Sequence, residues 1–465
     1  CKKHNIKVIS CRWVTNSKPE ADEGVRARIV VKDFAKGQKT ARQEGISSPT
    51  PSIESLRLLL GAATGMWTGG KGFNLYAIDV SQAFMNSPLT VKVCVRLPSS
   101  ISTLDNEPVF LEAYKGLNGL RIASLTWVLF FDGIVKSVGI RSGLVEPCLY
   151  GGMVRGAPIL VICYVDDLLV ATPSEAAYRV LFEALEKQVK IRETGRVTMS
   201  GGSLKFLGRT ILREKGSSGL QLFVDQDYLN SAFEEYGISK GSTAFPDLRP
   251  FLEQTLQEEP ISAEAHSKFR RVLGRLSWLA QTRQDILILI AMLSTGQSCP
   301  KPGHEKALRA VLRFMLLHMK MSQKFPSPGL EDLSEKDIGL EVYSDAGFAP
   351  MQATQRRSIT GCVIVFRCVV LKCFSRHQAS VTLSSCEAEL VAVQAAVQEA
   401  IGLLRSLSFV LRRIQVYPPS LSEDDSLDFV CPILLWTDSL SGKMLLEGSD
   451  LQRRSRHIDI KVNWL

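Results

Sequence analysis

Residues Ile159–Ala171 read ILVICYVDDLLVA, and the fold turns on them. The apolar run Ile159–Cys163 leads into Tyr164-Val165-Asp166-Asp167, and a second apolar run, Leu168–Ala171, follows at once. Short apolar runs bounded by polar residues are the pattern of buried strands. The stretch predicts a strand, a tight turn carrying two adjacent carboxylates, and a returning strand. An ordinary hairpin with a polar turn has the same outline. Neighbouring aspartates between buried strands are nonetheless costly unless positive charge compensates them. Hard divalent cations such as Mg²⁺ take carboxylate oxygens and supply that charge.

Upstream, FNLYAIDVSQAFMNSPL (73–89) predicts a strand over Leu75–Val80 with Asp79 at its end and Phe84 soon after. A lone Asp there is commonly a cap or turn former. Beside Asp166 and Asp167 it would complete a site for two metal ions ~3.5–4 Å apart, as phosphoryl transfer uses. VRARIVVK (25–32) alternates cationic and apolar side chains, placing Arg26, Arg28 and Lys32 on one strand face. Such a face can hold a triphosphate or a nucleic-acid backbone; a charge-protected edge strand looks the same.

Ser48-Pro49-Thr50-Pro51 breaks the chain before a helix in SIESLRLLLGAA (52–63). LNGLRIASLTW (117–127) runs from a Gly-containing loop into a helix, and EPCLYGG (146–152) reads as turn and strand. Residues 174–193 have helical periodicity, and β-type runs flanking Lys215–Gly219 predict a hairpin. Residues 240–262, Pro-rich and acidic, and 322–338 predict linkers. Between them lies a helical region. In 266–293, Phe269, Val272, Leu273, Leu276 and Leu279 keep helical spacing; 304–321 is a helix with Lys306, Arg309 and Arg313 available to solvent.

The last segment opens with LEVYSDAGFA (340–349), a strand carrying Asp345, and GCVIVFRCVVLKCFS (361–375), a hairpin. In TLSSCEAEL (382–390), Ser384 and Glu387 fit a capping box, which gives Glu387 a structural job and leaves Glu389 free for chemistry. PILLWTDS (432–439) is a strand ending in Asp438, and Asp459 sits in the final segment. Any one of these acids fits a surface position; the ordered set of four fits a second carboxylate site.

The chain has 465 residues, enough for roughly two to four domains of ~100–200 residues. A formal net charge of +9 suits a polyanionic partner without requiring one. Eleven scattered cysteines and six histidines show no zinc spacing, so reduced thiols and an intracellular setting are expected. The apolar run CVIVFRCVVLKCF is interrupted by Arg367 and Lys372, short of the ~18–20 residues of a membrane span, so no membrane is expected. No signal peptide is expected, and the start at Cys1 rather than Met is expected of a fragment or processed piece of something longer.

Together the stretches RARIVVKDF, SSPTPSIESLRLLLGAA, IDVSQAF, LNGLRIASLTW, EPCLY, YVDDLLVA, FLGRTI, LGRLSWLAQTRQDI, YSDAGFA, RRSITG, TLSSCEAEL, TDS and RHIDI resemble the reverse transcriptase and ribonuclease H part of copia-like LTR-retrotransposon Pol polyproteins. The resemblance covers nearly the whole chain. It implies an α/β (α+β) fold: a right-hand reverse transcriptase with fingers and palm over 1–238, a helical thumb and connection region over 239–335, and a ribonuclease H-like domain over 336–465, with truncation at its C-terminal end left open. It implies that Asp79, Asp166 and Asp167 hold two Mg²⁺, with Mn²⁺ as the alternative, for nucleotidyl transfer. Phe84 would reject a 2′-hydroxyl, and Arg28, with Arg26, Lys32 and Tyr164, would meet the incoming nucleotide. Asp345, Glu389, Asp438 and Asp459 would hold two Mg²⁺ to cut the RNA strand of a hybrid. The implied partners are an RNA template, a DNA primer, RNA–DNA hybrid and dNTPs, with integrase and protease regions upstream in a full-length element. The implied location is a cytoplasmic virus-like particle or the nucleus. The chain departs from the family where Asn118, Ile122, Ser124 and Leu125 replace Tyr, Gln, Pro and Arg, where Asp33 replaces Gly, and where Gly347 replaces Asp. Three readings stay open: an active polymerase with ribonuclease H, a degenerate or domesticated nucleic-acid binder, and a chain in which only ribonuclease H works.

Overall fold

The computed structural model describes residues 7–17, 25–34, 45–65, 67, 70, 72–103, 107–326, 339–415, 431–439 and 443. They divide into two units: Cys1–Ser52 with Leu75–Gly195, and Ile53–Asn74 with Arg196–Leu465. Strands and helices are numbered in chain order, and α1 (Ile53–Ala63) opens the insertion that belongs to the second unit.

The first unit holds two sheets. In the four-stranded one, β1 (Lys7–Ser17) lies between β2 (Val25–Val31) and β4 (Pro88–Arg96), and β5 (Phe110–Lys115) pairs with β4. The six-stranded one runs in the order β10 (Ile191–Val197), β3 (Asn74–Val80), β9 (Asp167–Thr172), β8 (Ala157–Tyr164), β7 (Leu149–Val154), β6 (Ile140–Ser142). Helices α2 (Ala83–Asn86), α3 (Ala123–Lys136) and α4 (Glu175–Glu186) complete the unit. The apolar runs of the opening stretch become β8 and β9. Ile159–Cys163 and Leu168–Ala171 are at most 3% exposed, so both faces of the hairpin are covered. On one face, Ile159, Val161, Cys163, Leu168 and Val170 pack with Trp127, Phe131, Tyr178 and Leu181 in one core, each fully buried aliphatic residue contributing about 1.5–3 kcal/mol. The expected helix over 174–193 ends sooner. Tyr178, Leu181 and Leu185 are its buried stripe, and past Lys187 the chain turns to place β10 beside β3. The alternating IRETGRV satisfies its backbone on a sheet edge rather than in another helical turn.

In the second unit, β11 (Gly202–Phe206), β12 (Arg209–Arg213), β13 (Leu220–Phe223) and β14 (Gln323–Phe325) form one sheet. The hairpin around Lys215–Gly219 is the β12–β13 pair. Helices α5 (Asn230–Glu235), α6 (Arg249–Gln254), α7 (Ala263–Leu279), α8 (Leu287–Leu293) and α9 (Pro302–His318) share a core in which Phe269, Val272, Leu273, Leu276 and Leu279 are all buried, while Lys306, Arg309 and Arg313 are exposed. The linker expected over 240–262 contains α6. Pro250 sits in its first turn, where a missing N–H is tolerated, and Leu248 and Leu252 reach the core. The linker expected over 322–338 begins as β14, paired with β13, and its residues 327–338 lie outside the described ones.

The last sheet has the order β17 (Val369–His377), β16 (Ile359–Phe366), β15 (Leu340–Gly347), β18 (Ile433–Trp436). Strands β15, β16 and β17 are antiparallel neighbours; β18 joins β15 in parallel, and α10 (Ser385–Arg413) packs on β15 and β16. At 29 residues, α10 is long and apolar enough to cross a membrane by length and composition. Leu390, Val393, Ala396 and Leu403 are buried in this fold, as in the core helix of a sheet-bearing domain.

Within this unit Arg57 of α1 is 2% exposed. Its guanidinium donates to Gln323 Oε1 (3.1 Å), to the Leu371 carbonyl (3.1 Å) and to the Gln281 carbonyl, joining α1 to β14, β17 and the end of α7. Replacing it strands those acceptors in a dry site at about 1–3 kcal/mol each. Arg57→Met, which keeps much of the volume, is expected to destabilise the second unit by more than about 2 kcal/mol in a urea melt. A loss below about 0.5 kcal/mol, the scale of ordinary surface substitutions, would show that these bonds contribute little.

Candidate active site

Tyr164 and Asp167 are the last paired residues of the β8–β9 hairpin, so Val165 and Asp166 form its turn. Val165 has φ 55°, a left-handed conformation that is strained for a β-branched residue. Two donors from outside the hairpin meet the turn. The Trp127 indole Nε1–H donates to the Val165 carbonyl at 2.6 Å, and the Val80 N–H donates to the Asp166 carbonyl at 2.8 Å. The second bond ties the end of β3, and with it Asp79, to the turn. Asp166 is exposed, and Asp79 and Asp167 are half-buried. Partial burial, and then the charges of Asp166 and Asp79, push the Asp167 carboxyl above the usual carboxylate range.

A cavity of about 1340 Å³ opens beside these acids. Asp79, Asp166, Arg28 and Phe84 line it, together with Lys115 and Lys190, which the sequence did not single out. Lys190 arrives because α4 stops early, and the Ser81 N–H donates to its carbonyl at 2.8 Å. Lys32 and Tyr164 are exposed, and the Lys32 N–H donates to the Ser10 carbonyl. Arg26 lies in β2, and its side chain is outside the described structure. The loop before α3 hugs β2: the Val31 N–H donates to the Asn118 carbonyl at 2.8 Å. Gly119 has φ 90°, and a Cβ there would lie 2.1 Å from the Val31 carbonyl oxygen, so only glycine fits. Two of the departures named above belong to one contact region. Asp33 Oδ2 accepts from the Arg121 N–H at 3.1 Å, next to Ile122.

The second carboxylate set lies at the end of the last sheet. Asp345 comes from β15, Glu389 from the start of α10, and Asp438 from just past β18; one ligand oxygen from each lies within 4.8 Å of the others. The register Tyr343↔Trp436 puts Asp345 and Asp438 each two residues beyond a paired position. Ser384 caps α10 by accepting from the Glu387 N–H at 3.1 Å, and the Glu387 carboxylate accepts from the Leu383 N–H at 2.9 Å. Glu387 is thereby engaged, as expected, although its partner is the residue before the cap. Glu389 Oε2 is buried with no hydrogen-bond partner. Burial, then Asp345 and Asp438, push the Glu389 carboxyl up to about 7. Three crowded acids with an orphaned oxygen are the donor set a hard divalent cation takes. Asp459 lies outside the described residues.

The profile of a family described as reverse transcriptase (RNA-dependent DNA polymerase) matches residues 2–248. The chain belongs to that family, in the form carried by copia-like retrotransposon Pol polyproteins. It is 24% identical over 467 residues to the Retrovirus-related Pol polyprotein from transposon TNT 1-94 of Nicotiana tabacum, covering 98% of this chain and 32% of that protein. It thus spans about a third of that relative's length. It is 29% identical over 273 residues to the putative transposon Ty5-1 protein YCL074W of Saccharomyces cerevisiae, covering 58% of this chain and 82% of that one. A solved telomerase structure from Candida albicans, in complex with a fragment of telomeric RNA, covers 67% of this chain and 62% of its own at 12% identity, with a TM-score of 0.21, too low to carry an argument.

The raised Glu389 carboxyl sets a pH signature. The folded chain binds that proton more tightly than the unfolded one, so the site favours folding most below about pH 4.5 and loses that contribution as pH rises through about 7. A bound divalent ion competes with the proton, so its stabilising effect grows over the same window. The rise in Tm on adding Mn²⁺ is expected to increase between about pH 5.5 and about pH 7.5, and Glu389→Gln is expected to flatten that increase. A Tm rise independent of pH in the parent would contradict the assignment.

Proposed function

We propose that this chain is an RNA-directed DNA polymerase that also cuts the RNA strand of an RNA–DNA hybrid. The observation that carries the polymerase reading is the anchoring of the β3 end, with Asp79, to the Asp166-Asp167 turn beside a cavity lined by Arg28 and Phe84. Arg28, with Arg26 and Lys32, would bind the triphosphate of an incoming dNTP. Phe84 would stand against its sugar and exclude a 2′-hydroxyl, and Tyr164 would also meet the incoming nucleotide. Asp79, Asp166 and Asp167 would hold Mg²⁺, or Mn²⁺ in its place. When bound, such ions supply positive charge for the attacking and leaving oxygens of phosphoryl transfer. RNA template and DNA primer would lie across this site.

Asp345, Glu389 and Asp438, with Asp459, would form the ribonuclease H site in the same way, and the convergence of Asp345, Glu389 and Asp438 supports that reading. The proposed domains are fingers and palm over 1–238, thumb and connection over 239–335, and ribonuclease H over 336–465. Integrase and protease regions would accompany them in a full-length element, within a cytoplasmic virus-like particle or the nucleus. A reading in which ribonuclease H alone works is favoured by one observation: Ile122, at the start of α3, has no side-chain donor where the family has Gln.

Primer extension on a DNA-primed RNA template, with Mg²⁺ and dNTPs, tests the proposal. Partners that merely orient metal ligands are worth ~10–100-fold, so Asp166→Asn, which alters a direct ligand, is expected to reduce extension by more than about 100-fold. Glu389→Gln is expected to abolish hybrid cleavage and leave extension in place. No extension by the folded, hybrid-binding parent would leave the ribonuclease-only or nucleic-acid-binding reading standing, according to whether the hybrid is cut.

A further inference from the structure

We infer that Trp127 is a positioning residue for the polymerase carboxylates: its indole N–H, donating to the Val165 carbonyl at 2.6 Å, holds the left-handed turn that aims Asp166 and Asp167. The inference rests on the polymerase reading of that turn and adds a residue to which the reading gives no part.

Val165 has φ 55°, where a β-branched side chain crowds its own backbone. A turn of this sequence left to itself would escape toward negative φ, and that rotation swings the peptide joining Val165 to Asp166. Two bonds from separate elements oppose the swing. Val80 on β3 holds the Asp166 carbonyl, and Trp127 on α3 holds the Val165 carbonyl. Each fixes the orientation of one peptide plane, so together they leave Asp166 one backbone conformation.

The Trp127 ring cannot drift. It is 0% exposed and lies 6.1 Å from the Phe130 ring and 6.0 Å from the Phe131 ring, all on α3. A buried tryptophan needs a partner for its single donor, and the Val165 carbonyl is that partner. The Cys163 thiol also faces this carbonyl at 3.8 Å, but sulfur is a weak donor. Asp166 and Asp167 therefore receive their aim from a helix that carries neither of them.

Three full-length variants test this in a Glu389→Gln background, which weakens the second carboxylate cluster: Trp127→Phe, Val165→Gly, and the pair. Phenylalanine keeps an aromatic ring in the core and removes only the donor. Glycine takes positive φ without strain, so the turn no longer needs the bond. The readouts are Mn²⁺ binding to the protein alone, by the EPR signal of free Mn²⁺, and kcat and KM for dNTP in primer extension.

Trp127→Phe is expected to weaken Mn²⁺ binding and lower kcat, each by roughly 10–100-fold, with KM for dNTP within about twofold of the parent. Adding Val165→Gly is expected to recover most of both losses, which is the non-additivity that a shared constraint produces. Trp127→Phe within about twofold of the parent in both readouts would overturn the inference, and so would a loss that Val165→Gly fails to recover, since that is the signature of core packing alone. If Trp127→Phe does not fold, the pair decides: an unfolded pair overturns the inference. A parent that extends no primer refutes the polymerase reading, while the Mn²⁺ arm still decides the role of Trp127.

Discussion

Electrostatic repulsion among carboxylates that buried backbone holds together is the constraint on which the active region depends. Asp166 and Asp167 cannot separate, because β8 and β9 are covered on both faces up to the turn. Asp79 is tied to them through the Val80 N–H. The repulsion shows in the raised Asp167 carboxyl, with partial burial as the larger cause. A protein tolerates such an arrangement where a counter-charge arrives with function, so the apolar packing of the hairpin and the chemistry of its tip are two sides of one design.

The same logic recurs in the second unit with different parts. There a parallel strand pair and the N-terminal part of a long helix bring Asp345, Glu389 and Asp438 together. The capping contacts engage Glu387, one residue pair before Glu389, and fix the helix start that presents Glu389. Arg57 does related work in the second unit. A charged group inside the unit is stable only because protein acceptors meet its donors, and in meeting them they join separate elements.

Much of this was legible in the sequence, for identifiable reasons. The strands around Asp166 and Asp167 are uninterrupted apolar runs, Asp79 follows the mostly apolar run Leu75–Ile78, and Ser384 with Glu387 carries a helix-start signature, so local pattern and tertiary outcome agree. Agreement fails where the deciding partner is remote. No Gly or Pro separates IRETGRV from the helical pattern before it, and its place beside β3 makes it a strand. Pro250 reads as a breaker until its position in the first turn of α6 is known. Lys190 reaches the cavity only because α4 ends at Glu186. Trp127 closes LNGLRIASLTW, and no periodicity reveals that its one donor meets a carbonyl far along the chain.

On the polymerase reading, Asp79, Asp166 and Asp167 form one divalent-cation site built by the backbone around the turn. Anomalous scattering from crystals soaked in Mn²⁺ tests it most directly. Mn²⁺ density is expected in contact with Asp79 and with at least one of Asp166 and Asp167, lost in crystals of Asp166→Asn. Density confined to other acids, with none at these three, would contradict it.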